Sequence, residues 1–415
     1  HLTADVHPER PLIVYSAPID NDYHLWTMDI SDSRVRHRLT DGTPYALTPA
    51  FSADGDHIYF VEADENRQFH LKRIKTYGGA VQTIQIKEWD FGVATGKARL
   101  SVVDGDGQPV TARVSITGAD GHPVASDKDA TYMDTKTGRT YFYVEGDAEF
   151  TLPVGRYEVH ATRGFFTPVQ TSELVIKKGR ETGEKLQLVP IWNVQQAGYV
   201  SADYHNHLNG EGTSRADHGD ALRSMAGEDL EHMAAMSWNR WERRIDRHIL
   251  GERTLQGPYV VDQGQEVRSH AHGHIGIIGI KDPFEPWFWG PNNPVLGDPD
   301  LANADVLEYA KSIGAFPTYV HPGIPANDPF ATPAESFRNL DSMNELILQD
   351  GIGFEIISGW DDPMGNVQVW YRLLNIGKTV AGISGTDGWV DFYRTAALGT
   401  ARNFVPVVDG NDDFD

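Results

Sequence analysis

The sequence contains no cysteine. That excludes disulfides, iron–sulfur clusters, thiolate zinc sites and cysteine nucleophiles together. Any metal must therefore be held by His, Asp and Glu. Positive charge is also scarce: 36 Lys and Arg stand against 59 Asp and Glu, for a net charge of −23 over 415 residues. Nucleic acid and anionic membrane surfaces call for Lys/Arg patches, so this balance argues against both as general partners, though a local basic pocket is compatible with it. No run of 18 apolar residues occurs, which leaves no transmembrane helix. A G-x-S-x-G elbow, a Walker loop and a G-x-G-x-x-G turn are missing too, which removes the usual signals of a serine hydrolase or a nucleotide-binding domain.

What remains is ample for folding. Hydrophobic residues make up 40% and charged residues 23%, enough for real cores, and the length suits two to four domains. The chain starts at His1 rather than Met and carries no charged-plus-apolar leader, which reads as a processed chain or a fragment. It stops at Asp415 without a visible closing element.

Residues 1–90 read as all-β. Leu12-Ile13-Val14-Tyr15 precedes His24-Leu25-Trp26, and His57-Ile58-Tyr59-Phe60 precedes His70-Leu71-Lys72, a repeat of about 45 residues, the size of a propeller blade. The turn Ser52-Ala53-Asp54-Gly55 sits before the second unit. These stretches resemble the repeats of TolB-like β-propellers. Closure needs about four blades or more, and only two are visible. A second chain or a homo-oligomer is the way to complete such a partial propeller, because open strand edges favour pairing. A plain β-meander is the simpler alternative.

Residues 91–192 read as a β-sandwich. Alternating strands recur at Ala98–Val103, Ala112–Ile116 and Tyr157–Ala161, with hairpin chemistry at Asp104-Gly105-Asp106-Gly107 and Asp120-Gly121. Leu152-Pro153-Val154-Gly155-Arg156-Tyr157 is similar to the turn of carboxypeptidase-regulatory-like sandwiches.

Residues 193–415 change character. Strands are expected at Tyr199–Tyr204, Tyr259–Val267, Ile275–Ile280, Phe316–Val320, Phe354–Ile357 and Thr379–Ile383. Helical periodicity falls at Asp220–Ala235, Ala302–Ser312, Pro333–Leu348 and Val367–Leu374. Repeated βα units imply a mainly parallel sheet.

Polar residues cluster just after these strands: Asp203 to His207, Glu266, His270 to His274, His321-Pro322, Glu355, and Ser384-Gly385-Thr386-Asp387. In a (β/α) barrel such strand ends share one rim. Imidazoles and carboxylates without sulfur are the donors of a hard or borderline metal site. His205 and His207 point the same way along a strand and can grip one ion. Glu266 can bridge two ions through its two oxygens. His270 and His272 read as neighbours rather than ligands, and His274 as either a core histidine or a donor.

At this point the motifs Tyr204-His205-Asn206-His207-Leu208, Gly264-Gln265-Glu266, Gly273-His274-Ile275, Val320-His321-Pro322, Trp370 to Gly377 and Ser384-Gly385-Thr386-Asp387 resemble the CehA/McbA branch of the PHP metallohydrolase superfamily, over about residues 190–405. The resemblance implies a distorted (β/α)7 barrel with His205, His207, Glu266, His274, His321 and Asp387 as ligands. Two positions depart from the superfamily pattern: Asp387-Gly388-Trp389 stands where D-x-H is common, and Met236-Ser237-Trp238-Asn239 where T-D-H is common. Both missing histidines would serve an outlying third metal, so one or two divalent ions (Zn, Mn or Fe) are expected.

The reaction expected is hydrolysis by metal-activated water, with Asp387, Glu266 or His321 as the catalytic groups. The resemblance points to an ester, amide or carbamate bond in a small-molecule substrate. The aromatic stretch Phe284 to Pro291 suits an aryl or apolar leaving group, or else packs against neighbouring structure. Phosphoester hydrolysis is the variant reading, weakened because only Arg268, Lys281, Arg394 and Arg402 lie near the motifs. A non-catalytic secreted or surface assembly protein with a vestigial barrel is the alternative class. The start at His1, the sandwich and the TolB-like repeats suggest a periplasmic or extracellular protein.

Overall fold

A computed structural model describes residues 3–19, 22–42, 45–63, 69–88, 90–126, 129–210, 216–240, 243–269, 272–290, 301–323, 342–359, 363–391 and 395–407. The chain forms two compact units, one built on its first 90 residues and one on residues 91–210 and 216 onward.

The first unit contains two antiparallel four-stranded meanders. Ala4–Val6, Leu12–Ile19, Asp22–Asp29 and Arg36–Arg38 form one; Ala46–Phe51, His57–Ala63, Phe69–Lys75 and Gln82–Thr83 form the other. Both read in sequence order, so each is a local chain of hairpins. Their inward residues, Val14, Leu25, Ala46, Ile58, Phe60 and Ile74, make one core.

In the second unit, residues 95–187 form a two-layer sandwich. A five-stranded sheet runs Tyr132–Met133, Thr140–Glu145, Thr111–Gly118, Gly155–Thr162, Gln170–Ile176, and a three-stranded sheet runs Asp147–Pro153, Thr95–Val103, Glu181–Gln187. Alternation decides the faces: Ala98, Leu100 and Val102 point in, and Lys97, Arg99 and Ser101 point out. The Tyr157 hydroxyl donates to the Pro153 carbonyl at 3.0 Å, which pins the turn between them.

The rest of the unit is a curled mixed sheet. Its main strands are β1 (Tyr199–His207), β2 (His232–Arg240), β3 (Tyr259–Ser269), β4 (Gly273–Ile278), β5 (Phe316–Val320), β6 (Gly353–Ser358) and β7 (Ala381–Gly385). Neighbours follow chain order, with β1–β2, β2–β3, β5–β6 and β6–β7 parallel and β3–β4 and β4–β5 antiparallel. The ends of the sheet come together: past β7, the Asp387 N–H donates to the His205 carbonyl at 2.7 Å, and Gly388-Trp389 pairs with Asn206-His207 of β1.

Four helices are described: α1 (His218–Glu228), α2 (Asn303–Ser312), α3 (Ser342–Leu348) and α4 (Pro363–Asn375). Helix α1 packs Leu222 and Met225 on Met233 and Ala235 of β2; α2, α3 and α4 cover Ile275, Ile277, Tyr319 and Phe354. That apolar layer takes one face of the sheet, and period-two alternation sends the polar residues to the other.

Two expectations change here. The helical reading of Asp220–Ala235 spans two elements: α1 ends at Glu228 with Asp229 in the left-handed region, and β2 begins at His232. Met233-Ala234-Ala235-Met236 is buried on both faces, and such a strand has no alternation to set it apart from a buried helix. The strict βα repeat also fails. β2 reaches β3 through a short strand (Arg243–Ile245), a 3-10 turn and another strand (Arg253–Gln256), and β3 turns straight into β4 as a hairpin. The expected Pro333–Leu348 helix is described only from Ser342.

Candidate metal centre

The polar face gathers the six singled-out side chains at one rim. On β1, His205 and His207 share the inner face, since residues two apart do, while the pairing with β2 shifts register between Asp203 and Asn206. Glu266 lies on the inner face of β3. Because β4 runs antiparallel to β3, its first residues lie at the rim where β3 and β5 end; His274 pairs with Arg268 on one side and Val320 on the other. His321 follows β5, and Asp387 follows β7. The last two have left-handed backbones, φ 28° at His321 and φ 50° at Asp387. Side chains other than glycine rarely adopt such angles, and they cluster at functional sites.

The distances form one connected cluster. His207 Nε2 lies 3.0 Å from Asp387 Oδ1 and 3.6 Å from Glu266 Oε2. Glu266 Oε1 lies 2.7 Å from His274 Nδ1 and 3.3 Å from His321 Nε2. His205 Nε2 is 3.7 Å from Asp387 Oδ1, and His321 Nε2 is 3.9 Å from Asp387 Oδ2. Glu266 thus presents one oxygen to His207 and the other to His274 and His321. Two donor triads are close enough to hold a metal ion: His205, His207 and Asp387, and His205, Glu266 and His321. His274 belongs to neither and contacts the site through Glu266 and edge-on through the His321 ring, 4.8 Å away.

The donor chemistry fits a divalent cation. His207 Nδ1 is 2.9 Å from the Met236 carbonyl and must donate to it, so in the neutral ring Nε2 is a lone pair. That lone pair faces the Asp387 carboxylate. His205 repeats the arrangement with Nδ1 on Glu355 Oε2 at 3.1 Å. His205 Nε2, Asp387 Oδ1 and Glu355 Oε1 are buried without a hydrogen-bond partner. Acceptors that face each other in a dry site repel unless a cation or proton lies between them. An imidazole backed by a carboxylate or carbonyl is how metal-binding histidines are oriented.

Proton affinities show the same demand for positive charge. Burial opposes a charged His205, but Asp387, Glu355 and Glu266 outweigh it and push its pKa up to about 10. Burial likewise opposes charge on His321, and Glu266 and Asp387 reverse that and raise it. Burial would raise Glu266, yet His274, His321 and His207 hold it well below the usual range. Asp387 is lowered the same way, against burial, by His205, His207 and His321. His274 goes the other way: burial brings it down to about 4, with Glu266 only partly opposing. Without an ion, a proton on His205 supplies balancing charge, and His321 is shifted in the same direction.

Residues that the motifs did not single out complete the site. Asp203 is fully buried and accepts from the Thr386 N–H, the Thr386 hydroxyl and the Gly399 N–H at 3.0, 2.6 and 2.7 Å, which fixes the loop carrying Asp387. Its signal was its place two residues before His205. Glu355 stood among the strand-end polar residues but belonged to none of the motifs. Two tryptophans border the cluster. Trp389 stacks on His207 at 4.4 Å and 23°, and Trp238 lies 5.7 Å from the same ring.

The aromatic stretch from Phe284 is core rather than an open lid. Phe284, Trp287, Phe288 and Trp289 are all buried, and Phe284 and Trp289 join the layer under α2. His272 donates its N–H to Ser269 Oγ at 3.2 Å, while His270 and Pro291 lie outside the described residues.

No family model matches the chain, and no curated protein does. Among solved structures, a TolB from Agrobacterium tumefaciens is similar at 17% identity over 44% of this chain and 53% of that one, with a TM-score of 0.20. The minor pilin GBS52 of Streptococcus agalactiae is similar at 14% identity, over 39% and 71%, with a TM-score of 0.20. The Bacillus anthracis TIE protein is similar at 14% identity, over 50% and 37%, with a TM-score of 0.18. The match spans about half of the TolB chain's length. At these scores none of the three assigns a fold. No described helix is long and apolar enough to cross a membrane.

Proposed function

We propose that this chain is a divalent-metal-dependent hydrolase of the PHP type, resembling the CehA/McbA branch, that cleaves an ester, amide or carbamate bond. The observation that carries the reading is the buried donor cluster, in which His205 Nε2 and Asp387 Oδ1 have no hydrogen-bond partner and His207 Nε2 faces Asp387 Oδ1 at 3.0 Å. On this reading His205, His207 and Asp387 hold one ion, and Glu266 and His321 serve a second, with Glu266 between. The two tryptophans at the departing positions agree with one or two ions rather than three. The curled sheet is then a distorted (β/α)7 barrel whose helices are interrupted between β2 and β4.

A divalent ion held by these residues supplies Lewis acidity, which polarises a carbonyl or phosphoryl oxygen and acidifies water. The protein does the rest. Glu355 and the Met236 carbonyl aim the two imidazoles. Asp203 fixes the strained loop of Asp387. Asp387 Oδ2, the oxygen turned away from His207 and toward His321, can accept a proton from water and return it to the leaving group. Trp238 and Trp389 wall one side and keep bulk water from His207.

The two four-stranded meanders fit two blades of a TolB-like propeller, the sandwich fits a carboxypeptidase-regulatory-like module, and the combination fits a periplasmic or extracellular enzyme. Metal content by mass spectrometry tests the core of the proposal. One or two equivalents of Zn, Mn or Fe are expected in the native protein, and none in His205→Ala/His207→Ala. Equal metal content in both refutes the site.

A further inference from the structure

Arg268 is the one cation that the fold places at this site among the described residues. It follows Glu266 by two positions on β3 and so shares its inner face, one rung nearer the rim. Across the hairpin it pairs with His274, which contacts Glu266 and the His321 ring. Its guanidinium lies 5.1 Å from the Trp238 ring and 5.6 Å from the Phe288 ring, and one Nη donates to the Asn239 carbonyl at 2.9 Å. Trp238 in turn lies against His207. The head group is therefore fixed in position beside the donor cluster.

Its bonding is incomplete. The Nε is buried and has no hydrogen-bond partner, and Arg268 makes no ion pair among the described residues. This is unusual in a chain of net charge −23, and more so beside a cluster with several carboxylates. A guanidinium can stack on aromatic rings and still offer its remaining N–H groups to a planar anion. The other cations noted near the motifs do not share this position. Arg402 is committed to the Glu228 and Asp229 carbonyls, Lys281 is exposed, and Arg394 lies outside the described residues.

We propose that Arg268 is a specificity residue that binds a carboxylate of the substrate, so that the site takes carboxylate-bearing esters, amides or carbamates. The substrate class rests on the hydrolase reading above; the anion site itself does not. A single fixed guanidinium matches one negative charge in a planar group, which favours a carboxylate over a phosphate.

Calorimetric titration of the zinc-loaded full chain with benzoate and with neutral benzamide tests this, with zinc content measured on the same samples. Benzoate is expected to bind at least about ten-fold more tightly than benzamide, as a charge-assisted pair should. Arg268→Gln should erase that preference with zinc content unchanged. Arg268→Lys keeps the charge without the fork and should weaken benzoate several-fold, which covers the case in which the glutamine variant fails to fold. Equal benzoate affinity in native and variant proteins overturns the proposal, because the carboxylate then sits on the metal or elsewhere. If the native protein takes up no zinc yet keeps an Arg268-dependent preference for benzoate, the anion site stands and the hydrolase reading falls.

Discussion

His205 shows how single atoms divide the work at this site. Its Nδ1 is held by Glu355, and its Nε2 is left for the centre of the cluster. Glu355 is fully buried, and burial raises its pKa, with His205 opposing. A carboxyl group is costly to bury there unless it orients the imidazole. Partners of this kind are worth 10–100-fold in metal affinity. Glu355→Ala should therefore weaken zinc binding by about that factor in chelator competition, and Glu355→Gln by less, since the amide oxygen still accepts from Nδ1. Unchanged affinity in the alanine variant would leave Glu355 with no role in positioning. The sequence made the ligand candidates legible because H-x-H, H-P and G-T-D at strand ends are spacing signals. Glu355 and Arg268 have no such spacing, and only the curl of the sheet brings them to the others.

At the scale of elements, closure of the sheet depends on how near β7 comes to β1. Gly385 is the contact: a Cβ added there would lie 2.5 Å from the His205 Cβ and 3.0 Å from Glu355 Oε2. Gly385→Ala must push β7 outward or turn His205 away. Overpacking of this kind costs about 1–3 kcal/mol. The variant should melt several degrees lower and lose metal affinity together with stability. Normal affinity and a normal melting temperature would mean that the strands part without cost. The same scale shows where sequence reading ran short. Strands with one wet face, such as Thr95–Val103, carried clear alternation. β2 has both faces buried, so its Met233 to Met236 run continued the helical pattern of α1. The β3–β4 hairpin was hidden because Gly273-His274 reads equally well as the start of a βα unit. Its antiparallel course nonetheless delivers His274 to the rim where a parallel strand would have ended.

For the molecule as a whole, metal and pH should act on stability through the same groups. In the metal-free chain His205 has a pKa of about 10 against an ordinary 6.5, so between those values the folded state binds the extra proton. Stability from this group is complete below 6.5 and is lost as pH rises toward 10. His274, brought down to about 4, has the opposite sign: the unfolded chain binds the extra proton between 4 and 6.5, and stability falls as pH drops through that window. His321, raised, adds to the alkaline loss. For these three groups taken alone, stability is greatest near pH 6.5. An ion changes the alkaline limb, because His205 and His321 then bind it as neutral rings and have no proton to lose. It also adds about 2.7 kcal/mol at a free concentration 100 times its Kd. Melting curves from pH 5 to 10, with chelator and with zinc, should therefore coincide best in acid, where protons compete with the ion, and diverge steadily above pH 6.5. Parallel curves across the whole range would show that the ion binds away from His205 and His321, and would separate the metal site from the cluster described here.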